Sequence, residues 1–350
     1  MPARYAINTV LLAAFLFFGN AIVTGGGLGR AQTALIIQIG FFIILAVSLN
    51  IVTGYLGQLP LGHAGFMAVG AYAAGIFWRA HYLPEPFNMI AGFIVAGLIA
   101  GLFGLFIGIP ALRFKGDYLA IITLGFGEII RVLINNSVWL TGGALGLQLP
   151  RTVRYSTFLV VYICVIITCA FIHVMMKSRH GRAILSIRDN EIAAESCGVN
   201  TVWYKVAAFV VSAFFAGIAG ALFAGNFSIL TPATFDFMMS INILMIVVLG
   251  GLGSMFGAVI AAAVLTYLPF LLQTTDPFSF ILGITFLPED LVQRVYDLLQ
   301  NHMILFALAL ILMMIFKPSG FMGGYDFSLS QILEKIINFA RGVKKDVKTH

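Results

Sequence analysis

The stretch Lys177–Lys205, KSRHGRAILSIRDNEIAAESCGVNTVWYK, is the only long polar interruption in an otherwise apolar chain. It sets Lys177, Arg179, Arg182, Arg188 and Lys205 against Asp189, Glu191 and Glu195, and a long apolar segment flanks it on either side. A polar loop in that setting is expected to be a docking surface on a membrane protein.

Composition supports the membrane reading. The chain has 350 residues, 60% hydrophobic and only 10% charged, with a mean hydropathy of +1.01. A soluble domain carries about 25% charged residues, so this surface cannot be wet throughout; its solvent is lipid. Apolar runs of about 17–22 residues each cover roughly 30 Å as helix. The alternation of a membrane β-barrel is absent. The expected fold is therefore all-α, a polytopic transmembrane helical bundle. The net charge of +6 sits in a few loops and a basic tail, which is the positive-inside pattern and not a nucleic-acid footprint. Cys164 and Cys169 lie in one apolar run and Cys197 in the polar loop, which predicts no disulfide framework and a reducing compartment for Cys197.

The apolar runs are Tyr5–Val23, Thr33–Val52, Ala64–Trp78, Asn88–Ile109, Tyr118–Ile134 and Tyr155–Met176. After the polar loop come Val206–Gly225, Phe237–Leu249, Ser254–Leu272 and His302–Phe316, with an interfacial Asp276–Gln300 before the last. Placing Lys177–Lys205 and the tail inside the cell also puts Arg4, Arg113 and Lys115 inside, whereas Arg30, Arg79, Arg151 and Arg154 fall outside. About ten helices result, with both termini cytoplasmic; if the short runs Ala64–Trp78 and Phe237–Leu249 are re-entrant, the number is eight. Residues 1–320 form the membrane domain and 321–350 a basic cytoplasmic tail, within which Leu329–Val343 suits an amphipathic surface helix. The first run also has the form of a cleavable signal peptide, an alternative that leaves the rest polytopic. Two small-residue stripes, Gly97/Gly101/Gly104/Gly108 and Ala213/Gly217/Ala221/Gly225, are expected to let helices pack closely.

Enzyme signatures are missing. No GxxxxGK[ST] loop is present, and the six histidines have no metal-ligand spacing. The chain is not expected to hydrolyse ATP, bind a metal or hold a cofactor. Within the polar loop, Asp189 is placed to cap a short helix, Glu191 to sit in its first turn and Gly198 to stop it in the left-handed conformation. Two glycine-rich breaks, TGYLGQLPLGHAG (Thr53–Gly65, with Gly54, Gly57, Pro60, Gly62 and Gly65) and Gly250–Gly257, interrupt apolar segments. Irregular backbone is tolerated at such depth only against protein or water, so the breaks read either as a path or gate or as two tight turns. Glu128, one turn before Arg131, reads either as a bundle-stabilising ion pair or as polar lining of that path. The candidate path or gate residues are Gly54, Gln58, His63, Glu128, Gly250 and Gly253.

The run Arg188-Asp189-Asn190-Glu191-Ile192-Ala193-Ala194-Glu195, followed by Gly198, resembles the cytoplasmic loop of branched-chain amino-acid ABC transporter permeases. Ala193, Ala194 and Gly198 match the spacing that marks the coupling helix of ABC importer permeases, although Ile192 separates Glu191 from the alanine pair and no Ile-x-Leu-Pro follows. Ser48–Ile76, Ala111–Arg131, Leu140–Leu147, Tyr204–Ala224, Met245–Ala262 and Phe316-Lys317-Pro318 are similar to further blocks of the same family. The resemblance implies an importer subunit in a bacterial inner membrane, moving leucine, isoleucine and valine. It also implies a second homologous permease subunit, two ABC ATPase subunits carrying the ATP and Mg, and a periplasmic substrate-binding protein. Its coupling residues would be Arg182, Arg188, Asp189, Asn190, Glu191, Ala193, Ala194 and Gly198. Urea or a short amide is the neighbouring substrate reading. From other classes come an ion-coupled carrier with Glu128 as its acid, and a passive channel.

Overall fold

The computed structural model describes residues 14–25, 29–114, 116–150, 153 and 155–275, and the single residues 308, 311, 312, 315, 316 and 320. The chain divides into two units, one of residues Met1–Gly29 with Tyr325–His350 and one of Arg30–Gly324. In the first, the described residues form helix α1, Ala14–Thr24. Asp276–Gln300, the tail 321–350 and most of His302–Phe316 lie outside the described residues.

The second unit is a bundle of helices: α2 (Arg30–Asn50), α3 (His63–Ala80), α4 (Phe87–Ala111), α5 (Asp117–Asn136), the short α6 (Val138–Thr141), α7 (Phe158–Lys177), α8 (Arg179–Asp189), α9 (Glu191–Ser196), α10 (Thr201–Asn226), α11 (Phe237–Gly250) and α12 (Met255–Thr275). Among the described residues five helices are long and apolar enough to cross a membrane: α2 with its continuation to Tyr55, α4, α5, α7 and α10. An all-α membrane bundle follows. The runs read from hydropathy coincide with these helices to within a few residues. Near its end α2 widens into a π-helical turn, Ile51–Tyr55. The expected break there thus starts at Leu56 and not at Gly54, and Gly65 already belongs to α3.

Helices α2 and α10 form the centre, with apolar residues all round. α10 packs most extensively on α3 and α4. Its closeness to them is set by residues without side chains. A Cβ on Gly70 of α3 would fall 2.3 Å from the Gly217 backbone of α10, and one on Gly220 would fall 2.0 Å from the Met67 carbonyl. On the other side, Gly104 of α4 faces Ala213, and Gly217 faces Ala96 and Ala100. Both sequence stripes are therefore packing surfaces, pressed against each other, with α3 as a third partner that the stripes did not announce.

Two features close the end of the bundle opposite α8 and α9. Leu147–Gln148 (β1) pairs antiparallel with Ile229–Leu230 (β2), and the Tyr72 hydroxyl donates to the Leu230 carbonyl at 2.8 Å. Trp78 is fully buried, its indole N–H donating to the Asn88 carbonyl at 3.1 Å, with Phe93 and Tyr155 against its faces.

The short runs prove to be helices, α3 and α11, whose first turns lie side by side. Ala64 N–H donates to the Ser240 hydroxyl at 3.1 Å. Ser240 lies ten residues before Gly250, roughly 15 Å along α11. That places the N-terminus of α3 well above the end where α11 finishes. Helix α11 itself rises only about 21 Å, short of a hydrocarbon core of about 30 Å. A short strand and a 3₁₀ turn, Pro232–Phe235, lead into it, and Asp236 caps it by accepting from Met239 N–H at 2.9 Å.

The glycine contacts set a sharp test. Gly70→Val must push α3 from α10, with a loss at or above the upper end of the about 1–3 kcal/mol typical of overpacking. Gly125→Val on α5 meets nothing within 4 Å and is expected to melt close to wild type. Thermal midpoints of the detergent-solubilised variants measure both; equal midpoints would contradict the packing described.

Candidate functional site

The polar stretch folds into two helices, not one. Ser178 caps α8, its hydroxyl accepting from His180 N–H at 3.2 Å and Gly181 N–H at 3.5 Å. Ile184 and Ile187 bury one face of α8 while Arg182 and Arg188 stay exposed. That buried apolar face carries α8 through to Asp189, which therefore ends a helix and cannot cap the next. The cap is Asn190, extended at φ −160°, whose side-chain oxygen accepts from Ala193 N–H at 3.1 Å. Gly198 follows α9 at φ +84°, the left-handed conformation expected of it, and a Cβ there would touch nothing within 4 Å.

α9 is held firmly against the base of α10. Glu191 Oε1 accepts from Lys205 Nζ at 2.6 Å, with the lysine side chain only 4% exposed. The Thr201 hydroxyl donates to Glu195 Oε1 at 2.6 Å. Breaking a buried pair from one side leaves an uncompensated charge, at a cost of about 3–5 kcal/mol, so Glu191 serves first to mount α9. Ala194 faces the bundle, whereas Ala193 and Ile192 face outwards, Ile192 with 74% of its surface exposed. Arg182, also exposed, has its guanidinium 3.5 Å from the Lys177 carbonyl.

The two glycine-rich breaks meet. A Cβ on Gly54 would lie 2.1 Å from Gly253 N and 2.0 Å from Asn50 Oδ1, so the backbones touch without room for a side chain. Asn50 clamps the joint. Its Oδ1 accepts from Gly253 N–H at 2.9 Å and its Nδ2 donates to the Ser254 carbonyl at 3.0 Å. Gly253 sits at φ +82°. Arg188, from the last turn of α8, reaches the same joint: its Nη1 donates to the Gly54 carbonyl at 3.1 Å while Nε and Nη2 face Asp189 Oδ1 at 3.3 Å. A charge-assisted bond of this kind contributes about 1.5–3 kcal/mol. The low end applies here, since the Arg188 side chain is 40% exposed.

The other candidates fall elsewhere. Gly250 packs on Gly257 across the turn between α11 and α12. His63 is buried in the core, its Nε2 3.1 Å from the Ser48 hydroxyl, and Ser48 O in turn accepts from Ser212 at 2.7 Å. These bonds tie α3, α2 and α10 together, apart from the joint. Gln58 N–H donates to the Val52 carbonyl at 2.9 Å, while its buried Oε1 has no partner. Glu128 pairs with Arg131, its Oε2 accepting from Nη2 at 2.7 Å and Nε at 2.8 Å, beside a small recess that includes Asp236 and Ser240. Sequence reasoning brought Gly54, Gly253 and Arg188 onto the page separately. It missed Asn50, whose signal was a lone amide inside an apolar run, costly in lipid unless bonded, and it missed Ile192 as an outward anchor.

No solved structure matches this chain. The family described as branched-chain amino acid transport system / permease component matches residues 32–314. The chain is 37% identical to the high-affinity branched-chain amino acid transport system permease protein LivM of Escherichia coli K12, over 69% of this chain and 63% of that relative. It is 36% identical, over the same shares, to LivM of Salmonella typhimurium LT2, and 24% identical to LivH of Escherichia coli K12 over 72% of this chain and 84% of the relative. The match thus spans less than two thirds of the LivM relatives' own length. With five helices able to cross a membrane and a family match over most of its length, the chain is a multi-pass membrane protein and belongs to the branched-chain amino acid transport permease family.

Proposed function

We propose that this chain is a membrane-spanning subunit of an ATP-driven importer in a bacterial inner membrane, carrying leucine, isoleucine and valine. In this reading a periplasmic binding protein delivers the substrate, a second homologous permease completes the pathway, and two ABC ATPase subunits hold ATP and Mg. The chain itself carries out no bond chemistry. Its task is to turn the movement of a partner into the opening of a path.

The observation that carries the reading is the bond from Arg188 to the Gly54 carbonyl. It joins a fixed, outward-facing docking element to the place where two broken helices meet. The polar loop then faces the cytoplasm, as its basic residues require. Ile192, Ala193 and the open space around Gly198 form the surface that seats in the ATPase, and Glu191–Lys205 keeps α9 from yielding under load. When ATP closes the ATPases, α8 and α9 shift as one piece and Arg188 pulls on the Gly54–Gly253 joint. Rigid-body motion of packed elements is a usual route for such switching. The similarity to LivM and LivH supports the substrate class.

Two outcomes follow. In proteoliposomes holding the whole transporter, Arg188→Ala is expected to leave ATP hydrolysis within about twofold of wild type while lowering leucine uptake per ATP by about tenfold, the effect of roughly 1.4 kcal/mol of lost coupling. Undiminished uptake per ATP would remove Arg188 from the linkage. Ile192→Asp puts a charge where an apolar contact is proposed and is expected to weaken retention of the ATPase subunits on the affinity-purified permease by at least about tenfold. Retention at the wild-type level would show that α9 does not seat there.

A further inference from the structure

Helices α2, α11 and α12 wall a cavity of about 330 Å³ that the linkage above does not use. The volume is within the range of small-molecule sites, about 300–1,000 Å³. Most of the lining is apolar, Phe42 and Met245 among it, but each helix contributes one neutral polar side chain: Gln38 from α2, Asn242 from α11 and Thr266 from α12.

These polar groups are unspent. Thr53, Thr123 and Thr168 each return the hydroxyl to the carbonyl four residues back, as threonines in apolar helices do. Thr266 does not, and its buried Oγ1 has no partner. Among the described residues the side-chain amides of Gln38 and Asn242 make no hydrogen bond either. Pro269, also in the wall, has no N–H to offer the carbonyl of Leu265 four residues earlier in α12. One cavity thus gathers amide and hydroxyl donors with amide and hydroxyl acceptors.

The chemistry of a fitting ligand follows. Among the described residues none in the lining is ionisable, so a ligand with net charge would give up hydration without a counter-charge. A ligand carrying donors and acceptors together at one end, apolar at the other and neutral overall, satisfies every group. We propose that this cavity is a transit site for a neutral α-amino acid with an apolar side chain. The ammonium group meets the amide oxygens of Gln38 and Asn242, the carboxylate meets the amide N–H groups and Thr266, and the side chain lies along Phe42. This rests on the importer reading and deepens it. All three walls lead to the joint at Gly54 and Gly253, α2 and α11 running into it and α12 starting just after it at Met255, so parting the joint loosens the site.

The test is uptake of radiolabelled leucine by the whole transporter in proteoliposomes, with Thr266→Val, Thr266→Ser and Asn242→Leu. Folded yield is checked by size-exclusion chromatography. Thr266→Val and Asn242→Leu are each expected to lower uptake about tenfold. Thr266→Ser is expected to keep at least about half of it, because it retains the hydroxyl. Excess isoleucine, but neither lysine nor glutamate, should compete. Wild-type uptake in both Thr266→Val and Asn242→Leu would overturn the transit site and leave the importer reading standing. Equal loss in Thr266→Ser and Thr266→Val would likewise overturn it, since packing alone would then be responsible. If the wild-type transporter hydrolyses ATP but takes up no leucine, the importer reading fails, and the transit site with it.

Discussion

The contact between Gly54 and Gly253 is the constraint on which the rest depends. Two chain breaks, each with backbone polar groups that no helix satisfies, lie at the end of the bundle that carries α8, where irregular backbone needs protein or water as its partner. They resolve the problem by meeting. The absence of side chains brings the backbones together, and Asn50 supplies an acceptor to Gly253 N–H and a donor to the Ser254 carbonyl. Neither break is complete without the other. A displacement at one is therefore a displacement at both, and Arg188 of α8 is bonded to that same place.

The same physics fixes the bundle around it. Between helices in lipid there is little hydrophobic drive, and close approach has to supply the attraction. Gly70, Gly217 and Gly220 let α3 and α10 touch backbone to backbone, and α4 closes against Ala213 and Gly217. Interiors packed this densely move as bodies and do not deform smoothly. The bond between Ala64 and Ser240 ties the first turn of α3 to the first turn of α11.

Much of this was legible in the sequence. Hydropathy located the helices, and the small-residue stripes marked the α4–α10 face because lipid-embedded packing favours those residue types. A short capped helix ending at Gly198 was expected where α9 lies, and Gly198 stands in the left-handed conformation expected of a helix stop. Three things stayed hidden for physical reasons. Polar residues on an amphipathic surface helix read as loop, which concealed α8 and shifted the cap from Asp189 to Asn190. Contacts some two hundred residues apart have no local signature, so the meeting of Gly54 with Gly253 was out of reach. Lone polar residues in apolar runs, Asn50, Gln38 and Asn242, carried the sharpest unread signal: their position in lipid demands a partner, but the sequence does not say which.

The coupling proposed here requires that the loop and the joint move together. Spin labels at Arg179 on α8, at Leu252 within the joint and at Phe114 after α4 are well placed to follow this, since all three side chains are exposed. Pulsed electron-spin distances in the assembled transporter, with and without ATP, then measure it directly. The 179–252 distance is expected to stay constant to within about 2 Å while the 252–114 distance changes, as for rigid-body displacement. A 179–252 distance that changes on ATP binding while 252–114 holds still would show the loop moving without the joint, and would contradict the linkage through Arg188.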